Sequence, residues 1–253
     1  IKATQSEDSE MILIHKSPAP PALEALKKEA EKQGLSDKEG YDLLRNPLKK
    51  QVREALMQEQ GHLCAYCMRR IPDERILQED TDLSDAYLEH WQSRSSARGT
   101  GENKGLDYQN LLAVCSGNEK APGATGRRKG RHLTCDKKRG NAPLTVNPLD
   151  AATLATISYT SDGKIRSSDP IINDDLNIRL NLNCSEEAVT LPENRKAVLD
   201  TIQEQVFQEE DLLQACMDQL HIWENETDHK TPYIGIAIWW LREQIHALQA
   251  GLP

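Results

Sequence analysis

Four cysteines constrain this chain more than any other feature. Cys64 and Cys67 form a C-x-x-C pair in "HLCAYC", and Cys115 and Cys135 follow further along the chain. Four thiolates suit one tetrahedral zinc ion, whereas a redox role for the C-x-x-C pair would want a βαβ pattern that this sequence lacks. The spacing therefore predicts a structural Zn²⁺ knuckle, with unligated thiols as the alternative.

The other two cysteines, Cys184 and Cys216, have no partner at ligand spacing. Lone cysteines are more often small buried hydrophobic residues than reactive groups, and they favour a reducing compartment. The sequence also lacks the run of about 18 to 20 apolar residues that a spanning helix needs, and a secretory leader pattern. We therefore expect a cytoplasmic protein without a membrane partner. The first ten residues carry no functional weight, and Met11 is a plausible start.

Hydrophobic periodicity divides the chain into three parts. Apolar residues recur at helical spacing over 22–33 and 36–60, and again over 193–224 and 233–250. The intervening segment is rich in Gly, Cys and Arg, and "SDGK" at 161–164 predicts a turn between two strand-like runs. We predict a tail and helical arm at 1–60, a compact core at 61–145, and an acidic helical module at 146–253. The expected class is α+β, mostly helical.

Charge is distributed unevenly along the chain. The net charge of the whole chain is -9, yet residues 61–142 hold 14 basic and 11 acidic residues. Contacts to phosphate need local rather than global positive charge, so the acidic total does not exclude a nucleic-acid substrate. A basic stretch between two of the predicted zinc ligands is the expected phosphate-binding surface, with a solvated charged loop as the alternative. Its members are Lys120, Arg127, Arg128, Lys129, Arg131, Lys137, Lys138 and Arg139.

A set of chemically active residues lies between the cysteine pairs. "YLEHW" at 87–91 carries Glu89 and His90, and "YQNLLAVC" at 108–115 carries Asn110. Hydrolysis of a phosphodiester needs a base for water, a divalent cation, and a group that fixes the base. These three residues can supply those parts. Adjacent side chains of a strand point to opposite faces, so the Glu-His pair must lie at a bend or a strand end.

This part of the chain resembles the HNH endonucleases with zinc-knuckle cysteines. Their pattern runs C-x-x-C, acid-His, Asn-Leu, Cys, and then Cys followed by His or Asn, which "LTCDKKRGN" at 133–141 completes with Asp136. The resemblance implies a small ββα-metal core flanked by helical parts. It implies His90 as general base, Asn110 as the residue that orients it, and Glu89 and Asp136 as ligands of catalytic Mg²⁺ or Mn²⁺.

Two further residues are secondary candidates for the cation site that the resemblance implies. Asn141 lies near Asp136 in sequence and has an oxygen donor, and His132 precedes Cys135. Both Glu89 and Asp136 are oxygen ligands suited to Mg²⁺ or Mn²⁺. Asp136 is therefore ranked above Asn141 and His132.

Over more of its length the chain is similar to the PtuB family of HNH proteins, found in Septu and related retron antiphage systems. The similar segments include "ILIHKSPAPPAL", "HLCAYCMRRI", "CDKKRGN" and "LPENRKAVLD". The resemblance implies an effector nuclease that works with a PtuA-like ABC ATPase, with a retron reverse transcriptase and its DNA-RNA hybrid in the same assembly. The competing hypotheses are an inert zinc-stapled module that binds nucleic acid and a scaffold subunit. Of the three, the sequence favours the nuclease.

Overall fold

The structure, a computed structural model, describes residues 11–71, 86–93, 104–119, 130–186 and 189–251. It is mixed α+β with small antiparallel sheets, which confirms the α+β part of the predicted class. The helices are α1 (Pro21–Lys32), α2 (Asp37–Asp42), α3 (Leu48–Glu59), α4 (Cys135–Arg139), α5 (Ala151–Leu154), α6 (Pro170–Asp174), α7 (Leu191–Phe207), α8 (Leu212–Glu224) and α9 (Gly235–Gln249). The strands are β1 (Tyr87–His90), β2 (Leu111–Val114), β3 (Ile157–Tyr159), β4 (Ile165–Ser167), β5 (Ser185–Glu186) and β6 (Val189–Thr190).

The N-terminal arm is helical, as predicted, but its second part is two helices. A capping box of Ser36 and Glu39 begins α2, which ends at Asp42, and α3 begins only at Leu48. Pro47 lies between them. Proline has no backbone N–H to donate and its ring clashes with the preceding turn of a helix, so the apolar periodicity over 36–60 does not become one helix.

A buried ion pair fastens this arm to the central hairpin. The ammonium of Lys16 lies 3.0 Å from a carboxylate oxygen of Glu59 on α3, and both side chains are almost fully buried. The same ammonium donates to the carbonyl of Leu111 at 3.2 Å, while the Tyr108 hydroxyl donates to Glu59 at 2.8 Å. The start of β2, and the short 3-10 turn Tyr108–Asn110 before it, are therefore held against α3.

β1 and β2 form an antiparallel pair in which Tyr87 faces Val114 and His90 faces Leu111. Every residue of β2 is buried. Beside β2, the side-chain amide of Gln60 donates to the carbonyl of Ala113 at 2.8 Å and accepts from its N–H at 2.8 Å. β1 ends at His90, so the Glu-His pair lies at a strand end, as its predicted role requires.

The C-terminal part combines a hairpin with a helical layer. β3 and β4 pair in antiparallel fashion around the "SDGK" turn, which confirms that prediction. α9 packs on both α7 and α8 through apolar residues such as Ile236 and Leu241. The apolar pattern over 193–224 is divided between α7 and α8, because Asp211 caps a new helix by accepting from the N–H of Gln214. Within the described residues, no helix has the length and apolarity needed to cross a membrane.

A buried arginine joins the hairpin to α7. Arg195 is 1% exposed and donates from Nε to the carbonyl of Gly163 at 2.6 Å. It also donates from Nη2 to the carbonyl of Leu182 at 2.8 Å and to the side chain of Asn183 at 2.9 Å. Gly163 has a φ of +84°, and a Cβ there would meet the carbonyl oxygen of Pro192 at 2.0 Å. Glycine is therefore required at position 163 both by the positive φ and by the close approach of the Pro192 carbonyl.

We expect Gly163→Ala to lower the free energy of unfolding by about 3 kcal/mol or more, because the methyl group would force the turn away from α7. Gly34→Ala is the matched control: its φ is +68°, but nothing lies within 4 Å of the added Cβ. It should cost only the backbone penalty of about 1 to 2 kcal/mol. Urea unfolding of both variants measures the difference. Equal losses would contradict the close approach of the turn to α7.

Candidate functional site

Three separate segments bring the four cysteines together. Cys64 and Cys67 lie in the turn enclosed by the bridge between Leu63 and Arg70, Cys115 directly follows β2, and Cys135 begins α4. Sγ to Sγ distances of 3.8 Å join Cys64 to Cys135, Cys67 to Cys115 and Cys115 to Cys135. All four thiols are buried, none is in a disulfide, and their sulfur atoms lie within 4.8 Å of one another. The predicted cluster is confirmed as a group that could hold a metal ion.

The geometry and chemistry of this cluster fit zinc. A zinc ion with Zn–S bonds of about 2.3 Å in a tetrahedron places its sulfur atoms about 3.8 Å apart. Burial, together with the neighbouring cysteines, raises the pKa of the Cys64 and Cys135 thiols well above the usual value. Four adjacent thiolates therefore need a cation to be stable in this interior. The backbone N–H of Gly117 also donates to the Cys115 sulfur at 3.4 Å.

A buried polar group supports the cluster and was not identified from the sequence. Burial acts to lower the pKa of the Arg69 guanidinium, but the neighbouring Cys67 and Cys115 outweigh it, and the pKa is raised well above its usual value. Asn118 accepts from Arg69 at 2.6 Å and donates to Thr134 at 3.1 Å. The φ of Asn118 is +63°, a conformation that Asn tolerates better than most residues. The sequence feature that could have identified Asn118 is its position in the "SGN" turn directly after Cys115.

The predicted cation ligands Glu89 and Asp136 are brought together. Glu89 is 7% exposed and lies at the end of β1, and Asp136 is in the first turn of α4. Burial, followed by the charge and hydrogen bond of Asp136, raises the pKa of Glu89 to about 8, against the opposing effects of Arg139 and Tyr66. The two carboxyl groups thus face each other in a poorly solvated site. They are a pair, and the described residues add no third acidic, histidine or cysteine ligand to it.

Arg139 is not where the basic-stretch prediction placed it. Its side chain is 1% exposed, and its guanidinium forms an ion pair with Glu89. It also donates to the Tyr66 hydroxyl at 3.1 Å, to the carbonyl of His90 at 3.1 Å and to the carbonyl of Ala142 at 2.8 Å. The prediction that Arg139 lies on a phosphate-binding surface is therefore wrong, because α4 turns this residue inward against the end of β1.

His90 and Asn110 lie close to each other but make different contacts. The Nε2 atom of His90 is 3.0 Å from the carbonyl oxygen of Gly105, and Tyr41 packs edge-on against the imidazole with centroids 4.8 Å apart. The Asn110 side chain accepts from the N–H of Gln92 at 2.7 Å and donates to the carbonyl of Lys104 at 3.1 Å. Asn110 thus holds the backbone next to Gly105, the residue whose carbonyl contacts the His90 ring.

The remaining predicted residues fall into three groups. Lys120, Arg127, Arg128 and Lys129 lie outside the described residues. Arg131 and Lys138 are exposed, while Lys137 is 3.1 Å from Glu119 and lies over the ring of Tyr87. Asn141 is exposed beyond the end of α4, and His132 belongs to no metal-ligand group among the described residues. Of the four members of the basic stretch in the described residues, Arg131 and Lys138 are exposed, Lys137 is paired with Glu119, and Arg139 is buried.

No protein-family model matches this chain, and no curated protein matches it at a significant level.

We expect the purified chain to contain about one zinc ion and Cys135→Ser to lose it, since a tetrahedral thiolate site does not keep its affinity with three sulfur ligands. Elemental analysis after dialysis against a mild chelator measures this, and thermal unfolding should show a lower Tm. Cys216→Ser is the control, because Cys216 is buried but lies outside the cluster. A variant at Cys135 that retained full zinc would contradict the assignment.

Proposed function

We propose that this chain is a metal-dependent HNH endonuclease that hydrolyses phosphodiester bonds. The observation that supports the proposal is the convergence of Glu89 and Asp136 at the end of β1, where His90 is the next residue in the chain. In chain order, two antiparallel strands are followed by a short helix that bears the second acid. That order is the one expected for a ββα-metal core.

The donor set of the acidic pair fits a hard divalent cation. Carboxylate oxygens are the ligands that Mg²⁺ and Mn²⁺ prefer, and both ions leave several positions for water and phosphate oxygens. A cation bound there would stabilise negative charge that develops on the phosphate. Burial and the neighbouring Asp136 raise the pKa of Glu89 to about 8, so a bound cation would favour the carboxylate form of Glu89 over the protonated form.

His90 is suited to accept a proton from water. A carbonyl oxygen can only accept, so the contact with Gly105 places the proton of a neutral ring on Nε2 and leaves Nδ1 as the basic nitrogen. Asn110 keeps the Lys104–Gly105 backbone in place and so keeps the ring oriented. The exposed cations Arg131 and Lys138 are available to a phosphate backbone near α4.

One observation favours a second candidate, an inert zinc-stapled subunit that binds nucleic acid or serves as a scaffold. The guanidinium of Arg139 already balances the charge of Glu89 and competes with a cation for that carboxylate. In a nuclease, Arg139 would have to share Glu89 with the cation or keep to its carbonyl partners. In an inert subunit, Glu89 would remain paired with Arg139 and would bind no cation.

The biological setting that we propose rests on the family resemblance. The chain would be the effector nuclease of an antiphage complex of Septu or retron type, with a PtuA-like ATPase as partner. The exposed acidic residues on α7 and α8, among them Glu204 and Asp218, provide a docking surface of the sign expected for a basic partner surface.

His90→Ala should abolish cleavage and phage protection when the chain is expressed with its genomic neighbours, since a general base contributes about 10²- to 10⁴-fold to rate. The measurement compares host survival and nucleic-acid integrity at matched protein levels, with zinc content checked. His246→Ala is the control, because His246 is exposed on α9. Protection by the His90 variant equal to wild type would refute the nuclease and favour the scaffold.

Glu89→Gln and Asp136→Asn should each weaken Mn²⁺ binding by at least about tenfold while zinc content stays unchanged, because each removes one of the two anionic ligands. Calorimetric titration of the zinc-loaded chain measures the affinity. Glu119→Gln is the matched control, an exposed acid near the same helix. If wild type binds no Mn²⁺, Arg139 is the permanent partner of Glu89, and the inert candidate is favoured.

A further inference from the structure

A second group of ligand-type side chains lies where the C-terminal part meets the knuckle. His62, Asp228 and His229 place their donor atoms within 4.8 Å of one another. The two imidazole rings stack with centroids 4.0 Å apart and planes 6° from parallel, and Asp228 lies 3.4 Å from the Nδ1 atom of His229. His62 is partly buried, whereas Asp228 and His229 are exposed. The hypotheses drawn from the sequence use none of these three residues.

A backbone hydrogen bond and the side chains of Arg70 and Glu226 bring the two segments together without help from the three ligand-type residues. The N–H of Lys230 donates to the carbonyl of Gly61 at 3.0 Å, and Arg70 donates to the carbonyls of Gly61 at 3.2 Å and Lys230 at 2.7 Å. Glu226 closes the loop by accepting from the N–H of Thr231 at 2.6 Å. The donor atoms are therefore assembled in advance, which lowers the entropic cost of binding a ligand between them.

We propose that His62, Asp228 and His229 form a second metal site, which binds one divalent first-row transition ion such as Zn²⁺. Two imidazoles and one carboxylate are a donor set for Zn²⁺, Ni²⁺ or Cu²⁺, whereas Mg²⁺ and Ca²⁺ prefer oxygen ligands alone. Three protein ligands leave a coordination position for water. This site is separate from the four cysteines and does not depend on the proposed nuclease activity.

The required movement of the side chains is small. Ligand atoms about 2.0 to 2.1 Å from a tetrahedral zinc ion lie about 3.4 Å from one another. The side chains of His229 and Asp228 are 60% and 75% exposed, so both can rotate toward His62 without disturbing packed neighbours. The guanidinium of Arg70 is the nearby charge that opposes a cation, and its own bonds to two carbonyls hold it in place. A bound ion would tie the segment before α9 to the knuckle.

Calorimetric titration with Zn²⁺ tests the site in the full-length chain already loaded with zinc at the cysteines. Wild type should bind one additional equivalent, and added Zn²⁺ should raise its Tm. His229→Ala should bind this equivalent at least about tenfold more weakly and lose the shift in Tm. His62→Asn should do the same, with Asn chosen because the φ of residue 62 is +60°. His246→Ala should behave as wild type.

Three results would overturn the proposal. The first is that wild type takes up no second equivalent. The second is that His229→Ala binds it as tightly as wild type, a result that stays decisive even where the His62 variant fails to fold. The third is that added Zn²⁺ converts the chain to a dimer in light scattering, since the three ligands of one chain would then not suffice.

Discussion

The convergence of four thiols is the constraint on which the rest of the central region depends. Cys67 and Cys115 are 48 positions apart and Cys115 and Cys135 are 20 apart, yet each pair of sulfurs is separated by 3.8 Å. The cluster therefore determines where β2 ends and where α4 begins. Because α4 carries both Asp136 and Arg139, the same constraint sets which charges meet Glu89 at the end of β1. A hairpin of two four-residue strands could not by itself hold these groups against a short helix.

Features that follow from local chemistry were predictable from the sequence. The cysteine spacing indicated the cluster, the "SDGK" turn indicated the hairpin of β3 and β4, and the apolar periodicity indicated most of the helices. The position of Glu89 and His90 at a strand end followed from the alternation of side chains along a strand. Helix ends were predicted less well, because Pro47 and Asp211 interrupt runs whose apolar pattern continues across them.

Features that depend on how a helix is rotated were not predictable. Arg139 belongs to a run of basic residues, and its charge alone predicted exposure. The direction of α4 instead brings it against the carbonyls of His90 and Ala142 and against Glu89, all of which accept from its guanidinium. The sequence likewise indicated Asn110 as a candidate site residue, but it did not indicate the partners of its amide. Those partners, Gln92 and Lys104, are determined by the path of the backbone. Such pairings depend on tertiary packing, which a single sequence does not encode in any local pattern.

The side-chain amide of Gln60 has a consequence for how the hairpin meets other molecules. By bonding to both the N–H and the carbonyl of Ala113, it occupies the backbone groups that a further strand would use at the outer edge of β2. A strand of another chain therefore cannot pair with the β1–β2 hairpin at this point. Such strand addition is a common way in which exposed sheet edges bind other chains. Together with the N–H of Ala65, which bonds to the same carbonyl, the glutamine takes the place of a neighbouring strand beside β2, the most apolar of the described strands.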